Sequence, residues 1–235
     1  EADVLAVAKS GSARGRDRFD NSYIANQFDK GSCNGFAGAA VLTKARVRRG
    51  LSRRDLSGAY LYSLINGGKD QGSLLNDGMA ALLTRGCATA ATVRWDQIYP
   101  YLYDRAKADA EASANKAGEA YAVMTLPGLW TALALGFDCV VAVHAGNNFM
   151  RVAGDSGVVG TDSGPGNHAV SADGIGYDTR TGQLFADGVN SWGLQYGRDG
   201  RMGLTAAHFA QTMQWHAFYA VRTTTDGDAD APPKA

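Results

Sequence analysis

Apolar residues recur at near-helical intervals through the first half of the chain and in short, dense runs through the second. Between Cys33 and Val47, the positions Phe36, Ala40 and Val47 fall on such intervals, and Arg46, Arg48, Arg49 and then Gly50 suit a helix end. Gly35 and Gly38 each weaken this helix by about 1 kcal/mol relative to alanine, which is tolerable where another element packs closely. The pattern predicts further helices over Ser57–Ile65, stopped by Asn66-Gly67-Gly68, and over Leu74–Arg85, closed by Gly86. Tyr103–Ala120 is alanine-rich with alternating charge, a strong helix former with a weak apolar face, and is expected on the surface. Leu129–Leu135 adds a short helix. Then the period changes. Cys139–Val143, His168–Ile175, Leu184–Val189 and Ala217–Val221 read as strands, with a turn at Asp178–Gly182. The first twenty residues, apolar only at Val4–Ala8, read as extended or irregular. Asp226–Ala235 is polar with two prolines and reads as a disordered tail.

Helices first and strands second predict an α+β chain, a helical lobe facing an antiparallel sheet lobe, and not a βαβ repeat. The helical lobe is expected over about 20–125 and the β-rich lobe over about 126–222, with 1–19 packed on it. At 235 residues the whole fits a single domain. The balance of 23 basic against 23 acidic residues gives no electrostatic reason to expect nucleic acid or an anionic membrane as partner. No apolar run approaches the roughly 20 residues that cross a bilayer. A soluble chain is expected, either cytoplasmic or secreted after removal of a leader ahead of Glu1. Three cysteines do not make a disulfide scaffold, and an odd count leaves one thiol without an internal partner. Cys139, in an apolar strand, reads as a core thiol, and Cys87 as structural. The four histidines show no ligand cluster at zinc-like spacing, so neither metal nor cofactor is expected.

Cys33 stands where the first long helix should start. There the unpaired backbone N–H groups and the helix dipole favour the thiolate, the form that attacks carbonyls. A cysteine at a helix start is also commonly inert and buried. His168 opens a strand after Gly164-Pro165-Gly166-Asn167 and could hold a proton taken from Cys33, or simply bond a loop carbonyl. Asn190 ends the next strand in Asn190-Ser191-Trp192-Gly193, where its amide could fix the imidazole and Trp192 could shield that bond from water. Taken alone, that segment is equally a turn with an aromatic plug. His208, Trp215 and His216, near the final strand, read as packing residues.

In order along the chain these segments resemble the papain-like cysteine peptidase family, from about Tyr23 to His216. Gln27 stands six residues before Cys33, as the family's oxyanion-hole glutamine does, and Gly31-Ser32-Cys33 with Phe36 resembles its nucleophile motif. Leu56-Ser57, Asp70-Gln71-Gly72-Ser73, Asn167-His168-Ala169-Val170, Asn190-Ser191-Trp192-Gly193 and Tyr196-Gly197 through Gly200 resemble its later motifs. The resemblance implies a two-lobed fold with the active-site cleft between the lobes. It implies hydrolysis of a peptide or protein substrate, and an inhibitory pro-segment as a further partner. Cys33, His168, Asn190 and Gln27 would be catalytic. Gly72, Ser73, Leu74, Leu75, Asn167 and Trp192 would meet substrate. The loop Gly146–Gly166 would border the cleft. The chain departs from the family at Asn34, where tryptophan is usual, at Gly35, which adds looseness, and at Lys30, where a disulfide cysteine is common. The first two are expected to widen or rearrange the primed side of the cleft. A catalytically inactive peptide-binding or scaffolding protein, or an isopeptidase or amide-transfer enzyme, would present the same motifs.

Overall fold

A computed structural model describes residues 2–15, 24–152 and 157–223. The tail at 226–235 lies outside the described residues, as do residues 16–23. Helix α1 (Ala2–Ser10) opens the chain where the sequence reads as extended. Val4, Val7 and Ala8 are three and four apart, which makes one helical stripe, and they pack on the core.

The first lobe is built around α2 (Cys33–Arg48), buried from Asn34 to Arg46. A helix enclosed on all sides must let its neighbours approach, and its glycines allow it. A Cβ on Gly35 would lie 2.4 Å from the Gly58 carbonyl oxygen and 2.8 Å from Tyr62. Helix α2 therefore meets α3 (Gly58–Ile65) backbone to backbone. Gly35 is a tight contact point rather than the loosening its sequence position implied. Ser57 caps α3 by accepting the Tyr60 N–H, and α4 (Leu75–Thr84) packs beside it.

Helix α5 (Arg105–Ser113) is shorter than the expected Tyr103–Ala120. The buried Asn115 stops it: its carbonyl accepts the Cys87 N–H at 3.0 Å and its amide reaches back to the Glu111 carbonyl at 3.1 Å. The chain then extends as β1 (Ala117–Val123), paired with β6 (Phe218–Thr223). Helix propensity yields there to a strand ladder, and sheet residues begin before 126.

After α6 (Leu126–Ala134) come β2 (Asp138–Val143), the four-residue helix α7 (Asn147–Met150), β3 (His168–Asp178) and β4 (Gln183–Val189). Strand β5 (Arg201–Thr205) and α8 (Ala206–Thr212), neither expected, precede β6. Among the described residues six strands form one sheet, order β1-β6-β2-β3-β4-β5, with every neighbouring pair antiparallel. Helix α2 lies against β3, β2 and β6. The result is a helical lobe set against an antiparallel sheet, the α+β arrangement expected.

Candidate active site

Helix α2 and strand β3 carry the two chemical groups of the site at their first residues, Cys33 and His168. A buried ion pair ties the same two elements farther along. Lys44 Nζ lies 2.6 Å from Asp173 Oδ2, and Arg201 of β5 adds bonds of 3.1 Å to both Asp173 oxygens. From Cys33 to Lys44, eleven helical residues rise about 16–17 Å. From His168 to Asp173, five strand residues also span about 16–17 Å. Arms of equal reach pinned at one end bring their other ends to the same level. The Cys33 sulfur accordingly lies beside the residue after His168: the backbone N–H groups of Ala169, Asn34 and Cys33 itself are close enough to favour its thiolate.

His168 is buried, with Nε2 2.8 Å from Asn190 Oδ1. That oxygen also accepts the Ser191 N–H at 2.8 Å, which fixes the amide orientation. Nε2 is therefore the protonated nitrogen, and Nδ1 is left with a lone pair. Trp192 stacks over the imidazole with ring centroids 4.7 Å apart, and Phe149 of α7 stands edge-on at 5.6 Å. Tyr196 closes the group, 5.0 Å from Trp192, and its hydroxyl donates to the Phe149 carbonyl at 2.8 Å. Asp162 holds α7 in place by accepting the Asn148 and Phe149 N–H groups. Sequence reasoning missed Phe149 and Tyr196 as parts of this cage, because only the tertiary fold brings Phe149 to His168 and Tyr196 to Phe149 and Trp192.

Gln27 is buried and clamped at both ends of its amide. Nε2 donates to the Lys30 carbonyl at 2.6 Å and Oε1 accepts from Ser191 Oγ at 2.6 Å, leaving one amide N–H uncommitted by these bonds. A cavity of about 630 Å³ joins Gln27, Cys33 and His168 with Gly72, Ser73, Leu74, Leu75 and Asn167. Trp192, expected to touch substrate, does not line it and lies behind the imidazole instead. Leu75 belongs mainly to the core, whereas Leu74 is 60% exposed. Gly72 adopts φ +84° and gives its N–H to the Tyr62 hydroxyl at 3.0 Å, so that N–H is not available to a ligand. His216 lines the cavity rather than merely packing, and Trp215 is 73% exposed. Asn34 turns toward the 73–74 segment, bonding Ser73 Oγ at 3.0 Å and the Leu74 carbonyl at 2.6 Å.

Electrostatics depart from the sequence expectation at Cys33. Burial pushes its thiol up, outweighing the three backbone N–H groups that favour the thiolate. Burial pushes His168 down to about 4, against the Asn190 bond, which acts the other way. A charge appearing alone on either group is thus disfavoured. Cys87 and Cys139 are free and fully buried, and burial pushes their thiols up. Among the described residues no helix is long and apolar enough to cross a membrane.

Neither a family model nor a curated protein sequence matches the chain. Solved structures do. Digestive procathepsin L 3 of Tenebrio molitor larval midgut superposes with TM-score 0.66 at 17% identity over 86% of this chain. The ragweed pollen allergen Amb a 11, a cysteine protease in its proform, gives 0.68 at 19% over 87%, and xylellain, a cysteine protease from Xylella fastidiosa, 0.67 at 20% over 88%. The chain spans 66% and 63% of the first two, under two thirds of their length, and 85% of xylellain. The helical lobe, the antiparallel sheet and the cleft holding Cys33 and His168 are thus an instance of the papain-like fold.

Proposed function

We propose that this chain is a cysteine peptidase, most directly an endopeptidase, with residues 1–235 forming one catalytic domain. One observation carries the reading. The His168–Asn190 bond leaves Nδ1 as a base in the cavity that also holds the Cys33 sulfur. The Sγ proton passes to Nδ1 as sulfur attacks the substrate carbonyl carbon. Burial disfavours a lone charge on either group, but a thiolate and an imidazolium formed together stabilise each other. The uncommitted Gln27 amide N–H and the Cys33 backbone N–H are the donors to the oxyanion, each worth about 3 kcal/mol in the transition state. His168 then protonates the departing amine as the C–N bond breaks. Water, deprotonated by the same nitrogen, hydrolyses the thioester. Substrate lies along Ser73, with an apolar side chain toward Leu74 and Leu75 and Asn167 at the opposite edge. A pro-segment fits the same cleft as inhibitor, since two of the matched structures are proforms.

The burial that disfavours a lone charge on Cys33 or His168 favours one second reading, a chain that binds peptides in this cleft without turning them over. A peptide-library cleavage profile of wild type beside Cys33→Ala decides between them. Cleavage by wild type, abolished in the folded variant, is expected, and identical profiles would sink the peptidase reading. Transfer of the acyl group to an added amine would instead mark an amide-transfer enzyme.

A further inference from the structure

The cleft wall is held at two points. At its base Asp70 accepts the Gly31 N–H at 2.8 Å and the Tyr62 hydroxyl at 3.0 Å, and Tyr62 in turn accepts the Gly72 N–H. At its tip the hold is Asn34, which is 1% exposed and directly follows Cys33 on α2. Its amide nitrogen grips both Ser73 Oγ and the Leu74 carbonyl, 39 and 40 residues along the chain. Space for this side chain comes from Gly78 on α4, where a Cβ would meet Asn34 Oδ1 at 2.7 Å. The two bonds bracket Ser73, whose own backbone N–H and C=O have no partner among the described residues. Among the described residues its buried Oδ1 has no hydrogen-bond partner, a cost set against the two bonds that hold the wall.

We infer that Asn34 is a positioning residue that locks the Ser73 peptide edge at a fixed distance from the nucleophile, so that extended peptide backbones are preferred over short acyl groups. This rests on the peptidase reading above and adds a determinant of substrate length to it. Asn34 acts on the wall of the cleft beneath Leu74 and not on the primed side expected from its sequence position.

Asn34→Ala keeps a good helix former and removes the unpartnered oxygen, so the fold should hold. The measurement is kcat/KM on two substrates: the best-cleaved tetrapeptide anilide from the library, and p-nitrophenyl acetate, which reaches only Cys33. The peptide-to-ester ratio is expected to fall roughly tenfold or more in Asn34→Ala. It should fall further in Asn34→Asp, which sets a carboxylate oxygen against the Leu74 carbonyl. Equal loss on both substrates, or an unchanged ratio, overturns the inference. A wild type inert to both overturns the peptidase reading alone. The clamp is then measured as affinity for a degenerate tetrapeptide mixture in the Cys33→Ala background, where Asn34→Ala must weaken binding; equal affinity, or none in either chain, overturns it.

Discussion

At the scale of single residues, His168 depends on what surrounds it. Its Nε2 proton is committed to Asn190 and its faces to Trp192 and Phe149, so only Nδ1 can exchange a proton with the cleft. Asn190→Ala frees the ring to turn, and kcat is expected to fall about a hundredfold with KM little changed, measured by steady-state kinetics. The same burial sets a pH dependence. With the folded imidazole at about 4 and the unfolded one near the usual 6.5, the unfolded chain binds the proton first as pH falls. In the Cys33→Ala chain this contribution, roughly 3 kcal/mol, should be fully present above about pH 6.5 and lost as pH falls through about 4. Urea unfolding across that range checks it, and replacing His168 with glutamine should flatten the slope. Cys33 could be singled out in the sequence as a cysteine at a helix start and His168 and Asn190 as polar residues at strand ends, and the resemblance added Gln27; the structure brings Gln27, Cys33 and His168 to one cavity and bonds His168 to Asn190. The grip of Asn34 was not legible there. Ser73 and Leu74 lie some forty residues away, and no local pattern relates them to residue 34.

At the scale of elements, the long helices and the central strands were legible because burial on one face leaves a period. α1 carried such a period over too few residues to notice. β1 was concealed by alanines that favour a helix until β6 arrives to pair with them. β5 is short and glycine-bearing, with no alternation to display. Packing between elements is where ordinary substitutions should hurt. Gly35→Ala forces a methyl into the α2–α3 crossing and is expected to cost about 1–3 kcal/mol in chemical denaturation. Among the buried charges, Asp173→Ala removes the carboxylate that faces both Lys44 and Arg201 and should cost about 3–5 kcal/mol. Lys44→Met leaves Asp173 with Arg201 and should cost less. The reverse ranking would mean that the lysine, not the aspartate, is the hub of that cluster.

At the scale of the whole molecule, the three thiols report on its layout. Cys87 and Cys139 are sealed in the core, while Cys33 opens on the cleft. Iodoacetamide at neutral pH should therefore modify Cys33 ahead of the other two, as peptide mass mapping would show, and equal labelling of all three in the folded chain would contradict this layout.

The matched arms of α2 and β3 carry a consequence for how such a chain can change. One residue inserted between Cys33 and Lys44 would swing the ammonium roughly 100° around the helix axis, away from Asp173. One inserted between His168 and Asp173 would flip the carboxylate to the far side of the sheet. Either edit uncouples sulfur from imidazole without touching them. Length variation should be confined to the stretches outside these two arms.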